Sequence, residues 1–158
     1  MGTTASIPPL ASDEGEDSDE RCVLRFGPSR HVASTFEAVI APEPDLVARL
    51  RQITRTFLLR RSVAASLADD IVVTVSELVT NAIEHGEGTV TLRARLADGE
   101  VLVEVGDESP APARLRTPTD DEVRGRGLLL VSVLAHDWGV RDEGRTTWAT
   151  FRVSGEAG

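Results

Sequence analysis

Residues 89–105 restrict the fold of this 158-residue chain most strongly, because they predict a single antiparallel hairpin. Thr89–Leu96 alternates apolar and polar side chains with the two-residue period of a strand buried on one face. Asp98 and Gly99 then mark a tight turn, and Glu100–Val105 alternates again as the returning strand. Other elements of the chain must therefore cover the apolar face of this hairpin.

Helical periodicity predicts three helices that can cover the apolar face of the hairpin. Asp45 begins a helix with one apolar seam, made of Leu46, Leu50, Ile53 and Phe57. A second helix is predicted over Ser66–His85, with Gly86 as its C-terminal cap. A third helix is predicted over Leu128–Ala135.

Three further strands are predicted, over Ser34–Ile40, Asp137–Arg141 and Thr146–Val153. Hairpins mixed with helices indicate the α+β class, as a two-layer α/β sandwich with a mixed, mostly antiparallel sheet and helices on one face. Residues 1–21 are rich in Ser, Gly, Pro and acids, and they predict a disordered acidic tail. Residues 22–158 are expected to form one domain.

The composition excludes several classes of protein. All 17 basic residues are arginine, so the chain lacks the lysine of a Walker-A loop and of a two-lobed protein kinase. Cys22 is the single cysteine, which excludes an intrachain disulfide and a zinc site built on a cysteine cluster. A net charge of −9 argues against direct nucleic-acid binding. No signal peptide or membrane-spanning run is visible, so a cytoplasmic location without membrane contact is expected.

The second helix carries a polar stripe opposite its apolar seam. The seam consists of Ile71, Val75, Leu78 and Ala82. The stripe consists of Asp70, Thr74, Glu77, Asn81 and Glu84. Both a solvated face and a functional site fit this spacing. As a site, Glu77 and Asn81 would offer a base and an oxygen ligand of the kind that Mg²⁺ prefers.

A second functional signal lies between the hairpin and the third helix. Residues 107–124 include three prolines and few large apolar side chains, and a loop of this length inside a domain often serves as a lid. Gly125, Arg126 and Gly127 lead into the third helix, whose first N–H groups would attract phosphate together with the guanidinium of Arg126. A merely flexible turn is the alternative interpretation.

The first helix also carries a basic face outside its apolar seam. The arginines on it are Arg49, Arg51, Arg55, Arg60 and Arg61. A solvated surface is one interpretation of these charges. The other is a surface that binds an acidic partner or the acidic tail of the chain itself.

Four motifs occur here in an order that resembles the GHKL (Bergerat-fold) ATP-binding superfamily. The similarity is greatest to the anti-sigma-factor serine/threonine kinases and their actinobacterial ATP-binding relatives. The motifs are Glu77–Gly86 (the N-box), Val103–Asp107 (the strand before the adenine aspartate), Gly125–Gly139 (the glycine box) and Gly144–Ala149 (the final box). The resemblance spans about residues 35–153. It departs from the superfamily at residues 107–112, where Asp-Glu-Ser-Pro-Ala-Pro replaces Asp-x-Gly-x-Gly.

The resemblance implies a role for particular residues. Asn81 is expected to ligate the Mg²⁺ that bridges the phosphates of ATP, and Glu77 is expected to be the general base. Asp107 is expected to accept a hydrogen bond from the amino group of adenine. The further nucleotide-binding residues that the resemblance implies are His85, Ser109, Gly125, Arg126, Gly127, Leu128 and Thr146. Residues 108–124 are expected to form the ATP lid.

The resemblance also implies a function and partners. The expected activity is that of a Mg-ATP-dependent serine/threonine protein kinase that phosphorylates an anti-anti-sigma antagonist and binds a sigma factor. Such a protein regulates transcription without touching nucleic acid, and a homodimer is expected. Two other hypotheses stay open. One is a non-catalytic ATP-binding module that sequesters a protein partner, and the other is the catalytic piece of a split histidine kinase.

Overall fold

The computed structural model describes residues 20–27, 33–109 and 127–154 of the chain. The strands are β1 (Cys22–Phe26), β2 (Ala33–Ile40), β3 (Val90–Ala97), β4 (Glu100–Gly106), β5 (Asp137–Arg141) and β6 (Thr146–Arg152). The helices are α1 (Asp45–Arg60), α2 (Ala65–His85) and α3 (127–134), and a 3₁₀ turn, Asp142–Gly144, joins β5 to β6. The six strands form one sheet in the order β1-β2-β3-β4-β6-β5. Each neighbouring pair is antiparallel.

One face of the sheet packs against the helices. The predicted hairpin is β3 and β4, and its alternating side chains that are buried on this face are Val90, Leu92, Ala94, Val101, Val103 and Val105. The helices contribute apolar side chains from their seams to the same core: Leu46, Leu50, Phe57, Ile71, Val75, Leu78, Val79 and Val131. The predicted fold class, an α+β sandwich with helices on one face, is confirmed.

The other face of the sheet carries a row of charges in adjacent register. Arg25, Glu37, Arg93 and Glu104 lie side by side on β1 to β4. Glu37 is buried and accepts a 2.6 Å hydrogen bond from Nε of Arg93, while its other oxygen lies 3.5 Å from Nη1 of Arg25. Glu104 is also buried and pairs with Arg141 of β5. Each buried carboxylate therefore has a guanidinium partner, which offsets the cost of removing its charge from water.

Strand β1 is the element that sequence periodicity did not predict. Its five residues, CVLRF, are too few to establish an alternating pattern, and two apolar residues stand next to each other. It is a strand because it pairs along β2, where Phe26 opposes Phe36 with 6.1 Å between ring centroids. Most of the predicted tail, residues 1–19, lies outside the described residues, so its disorder stays a prediction.

Candidate functional site

The polar stripe of α2 is not a uniformly solvated face. Thr74 is fully buried, and its hydroxyl donates a 3.0 Å hydrogen bond to the carbonyl of Asp70. Glu77 and Asn81 are half-buried, whereas Glu84 is exposed. The middle of the stripe therefore lies beneath other parts of the chain, while its end faces water.

The described start of α3 covers the middle of this stripe. Gly127 lies so close that a Cβ atom at its position would be 3.1 Å from Nδ2 of Asn81 and 3.1 Å from Oε2 of Glu77. Nδ2 of Asn81 is buried and has no hydrogen-bond partner among the described residues. A buried amide N–H without a hydrogen-bond partner lowers the stability of the protein. A ligand that bonds to Asn81 would offset this cost, because the amide has already been removed from water.

The carboxylate of Asp107 is fixed at the end of β4. Its backbone N–H donates a 3.1 Å hydrogen bond to the carbonyl of Arg145, and the N–H of Ser109 donates a 2.7 Å bond to Oδ1. Gly86 lies against the same carboxylate, and a Cβ atom there would be 2.5 Å from Cγ of Asp107 and 2.6 Å from the carbonyl oxygen of Ala82. The φ of Gly86 is −95°, so this position needs glycine for space and not for a left-handed helix cap.

Glu108 attaches this strand end to the turn between α2 and β3. Its backbone N–H donates a 2.8 Å bond to the carbonyl of Glu87, and its carboxylate accepts a 2.8 Å bond from the N–H of Thr89. Gly88 adopts a φ of +69° beneath the Glu108 side chain, a conformation that favours glycine. These two hydrogen bonds of Glu108 form a bracket that holds the backbone next to Asp107 against the turn between α2 and β3.

A narrow cleft joins these groups between α2, β4, α3 and the turn before β6. Asn81 and Asp107 are among the polar residues that line it. The other lining residues are Leu78, Ala82, Val105, Leu128, Gly144, Arg145 and Thr147. The enclosed volume is about 10 Å³, which is roughly the space of one water molecule.

The structure brings together six of the predicted site residues. Glu77 and Asn81 lie against Gly127, and Asn81, Asp107 and Leu128 share the cleft. Ser109 is buried beside them and donates to Asp107. Gly125, Arg126 and most of the predicted lid lie outside the described residues.

Two other predicted residues lie apart from the cleft lining. Nε2 of His85 is buried without a hydrogen-bond partner in the described part of the chain, 3.8 Å from the carboxylate of Glu84. Thr146 opposes Gly106 in the register of β4 and β6, and Thr147 lines the cleft instead. Thr147 pairs with the inward-facing Val105, and this register of β6 against β4 is seen only in the structure.

Comparison with known proteins identifies the class to which this fold and site correspond. A family model described as a histidine kinase-like ATPase domain matches residues 40–152. The chain therefore belongs to the family of histidine kinase-like ATPase domains. No match was found among curated proteins. None of the described helices is long and apolar enough to cross a membrane.

Membership in this family implies ATP binding, and the chemistry of the cleft fits an adenine nucleotide. Leu78, Val105 and Leu128 supply apolar walls for a flat ring, and Asp107 presents the acceptor that an exocyclic amino group requires. The unpaired side-chain amide of Asn81 stands where phosphates and a cation would approach the start of α3. The residues therefore fit ATP in kind.

Proposed function

We propose that the chain is a Mg-ATP-dependent serine/threonine protein kinase of the anti-sigma type. The observation that carries the proposal is the meeting of Glu77, Asn81 and Gly127 at the start of α3, within one family-matched domain. Asn81 would hold Mg²⁺ through its amide oxygen, and the ion would screen the phosphate charges. The oxygen and nitrogen of a side-chain amide exchange places when the amide turns by 180°. Such a turn would put the oxygen of Asn81 at the unpaired position, where it can act as a ligand.

Glu77 is the proposed general base. Its carboxylate is one helical turn from Asn81 and borders Gly127, so it stands next to the place where phosphates would sit. A carboxylate in this place can accept the proton of a serine or threonine hydroxyl as that oxygen attacks the terminal phosphorus of ATP, and the bond from this phosphorus to the bridging oxygen would break to release ADP. Phosphoryl transfer depends mostly on positioning and charge, and α3 and Asn81 would provide both.

The proposed protein substrate is a small anti-anti-sigma antagonist, and the proposed second partner is a sigma factor. A homodimer is part of the same proposal. These partners rest on the resemblance of Glu77–Gly86 and Gly144–Ala149 to the anti-sigma-factor kinases.

The test is phosphotransfer from radiolabelled ATP to a panel of purified anti-anti-sigma proteins, with wild type and Glu77→Gln. We expect phosphoserine or phosphothreonine on one member of the panel and a loss of rate of about 10²–10⁴-fold in the variant. ATP affinity should change little, because the neutral amide keeps the size of Glu77. Unaltered transfer by Glu77→Gln would exclude Glu77 as the base.

A second candidate function is a non-catalytic ATP-binding module that sequesters a protein partner. The observation that favours it is the altered segment after Asp107, where Oδ1 of Asp107 already accepts a bond from the N–H of Ser109. Under this hypothesis no member of the panel is phosphorylated, while one of them or a sigma factor binds wild type and Asn81→Ala equally well.

A further inference from the structure

A groove outside the family motifs lies between the end of α1 and the end of β1. Its volume is about 650 Å³, which is within the range of ligand-binding clefts. Its walls include Phe26 and Gly27 beside β1, and Ile53, Phe57, Arg60 and Arg61 at the other side. None of these residues lines the cleft around Asn81 and Asp107.

The floor of the groove is apolar and well packed. Phe57 is almost fully buried and meets Phe36 edge-on, with 4.8 Å between ring centroids. Phe26 stands at the rim with 47% of its surface exposed, which is unusual for so large an apolar side chain. An apolar side chain from another molecule would cover both phenyl rings, and burial of that area would favour its binding.

Two arginines make this groove an anion-binding surface. The guanidinium of Arg61 lies 3.9 Å above the ring of Phe57, and Nη1 donates a 3.0 Å bond to the carbonyl of Phe57. Its Nε is buried and has no partner among the described residues. Burial lowers the pKa of Arg61, and the neighbouring charge of Arg60 acts in the same direction. A carboxylate beside these groups would compensate both effects.

Arg60 and Arg61 differ from other arginines of α1 in their ion pairing. Arg55 pairs with Asp69 of α2, and Arg51 donates to the hydroxyl of Ser76. In the described part of the chain, neither Arg60 nor Arg61 forms an ion pair. The protein as a whole has a net charge of −9, so this is a local basic site on an acidic molecule.

The backbone beside the groove is open to an added strand. β1 is the outermost strand of the sheet that the structure describes. The N–H of Gly27 and the carbonyl of Arg21 bond towards β2, and bonding alternates along an antiparallel pair. The N–H and C=O groups of Leu24 and Phe26 therefore point away from β2, and no strand pairs with them in the part of the sheet that the structure describes.

We propose that this edge and groove bind an extended acidic segment of a partner protein. The segment adds to β1 through the backbone groups of Leu24 and Phe26, places an apolar side chain on Phe57, and places a carboxylate beside Arg60 and Arg61. Main-chain bonds supply affinity in this mode of recognition, and the alternating side chains supply specificity. The proposal is independent of phosphate transfer and of the residues in the nucleotide cleft.

Random heptapeptide display against the full chain tests the proposal without a known partner. We expect the selected peptides to alternate acidic with apolar residues and to lack proline at the positions that face β1. Synthetic copies with a fluorescent label should bind Arg60→Glu about tenfold or more weakly than wild type in anisotropy titrations. Arg152→Glu reverses an exposed charge at the end of β6 and should bind as wild type does. Peptides without acidic enrichment, or equal affinity for Arg60→Glu, would overturn the proposal.

Hydrogen exchange distinguishes strand addition from side-chain contact alone. The selected peptide should slow the exchange of the Leu24 and Phe26 amides, and a copy with alternate N-methyl groups should lose binding and protection. If these two amides already exchange slowly in the free protein, and no peptide is selected, then the chain covers this edge itself and the proposal is wrong.

Discussion

Two concave surfaces formed by the described residues differ in volume and in charge. The cleft around Asn81 and Asp107 encloses about 10 Å³ and is lined by one carboxylate, that of Asp107, and by Arg145. The groove around Phe57 has about 650 Å³ and carries two arginines that no motif marks. The motif residues are thus held in a nearly closed arrangement, whereas the groove is ready to accept a side chain.

The difference follows from how each surface is built. The cleft is formed by close approach of backbone elements, since glycines at 86 and 127 bring Asp107 and α3 against α2. The groove forms because β1 is the short outermost strand of the described sheet, so that no described strand covers Phe26 on one side. A site made by close approach must move to bind, while a site at an edge needs only a partner.

The largest expected effect is on the free energy of unfolding, and it distinguishes Phe57 at the floor of the groove from Phe26 at its rim. Phe57→Ala should lower the free energy of unfolding by about 3–5 kcal/mol, because Phe57 is almost fully buried against Phe36. Phe26→Ala should cost about 1 kcal/mol, because half of this side chain is already in water. Urea titration measures both. Equal losses would mean that the rim is part of the core and that the groove is not a free surface.

A smaller effect tests whether the cleft depends on close approach. Gly86→Ala places a methyl group against the carboxylate of Asp107 and the carbonyl of Ala82, and it should cost about 1–3 kcal/mol of stability. ATP affinity should fall together with stability, because Asp107 must move. Gly99→Ala is the matched control: its φ is +72°, but its Cβ would meet only the carbonyl oxygen of Val153 at 3.9 Å, an ordinary contact, so it should lose stability and keep ATP affinity.

The hydrogen-bonded bracket formed by Glu108 should contribute less to the free energy of unfolding than the close contact at Gly86. Glu108→Ala removes the acceptor for the N–H of Thr89 at an exposed position, with an expected loss of about 0.5–1.5 kcal/mol. The Kd for ATP should rise about threefold to tenfold, since Asp107 loses one of its anchors. Glu108→Gln keeps an acceptor oxygen and should recover most of the affinity. An unchanged Kd in Glu108→Ala would show that the bracket does not position Asp107.

The smallest effect concerns the arginine of α1 that already has a partner. Asp69→Asn weakens the pair with Arg55, and both side chains are largely exposed, so stability should fall by about 0.2–1 kcal/mol. Peptides selected on the groove should bind this variant as they bind wild type. A marked gain in peptide affinity would instead place Arg55 within the binding surface.

Periodicity in the sequence predicted most of the fold and part of the site. The hairpin of β3 and β4 and the seams of α1 and α2 were predictable because each repeats over two or more turns or pleats. The same spacing placed Glu77 and Asn81 on one stripe, but it could not show that Thr74 is buried while Glu84 is exposed. That distinction depends on contacts between elements far apart in the chain.

Other features needed the tertiary structure. β1 is a strand only through its pairing with β2, and the reason for Gly86 is the carboxylate of Asp107, twenty-one residues later. The choice between Thr146 and Thr147 depends on the register of β6 against β4, which a sequence pattern does not determine. The closed state of the cleft likewise results from side-chain packing between α2, α3 and the turn before β6.

Calorimetry of Mg-ATP binding to wild type and to Asn81→Ala tests the central claim most directly. Wild type should bind one Mg-ATP, and the variant should bind at least about tenfold more weakly, which corresponds to about 1.4 kcal/mol. The variant should unfold at the same urea concentration as wild type, because Nδ2 of Asn81 has no partner to lose among the described residues. Equal affinity in the two proteins, or no binding in either, would contradict a nucleotide site at Asn81.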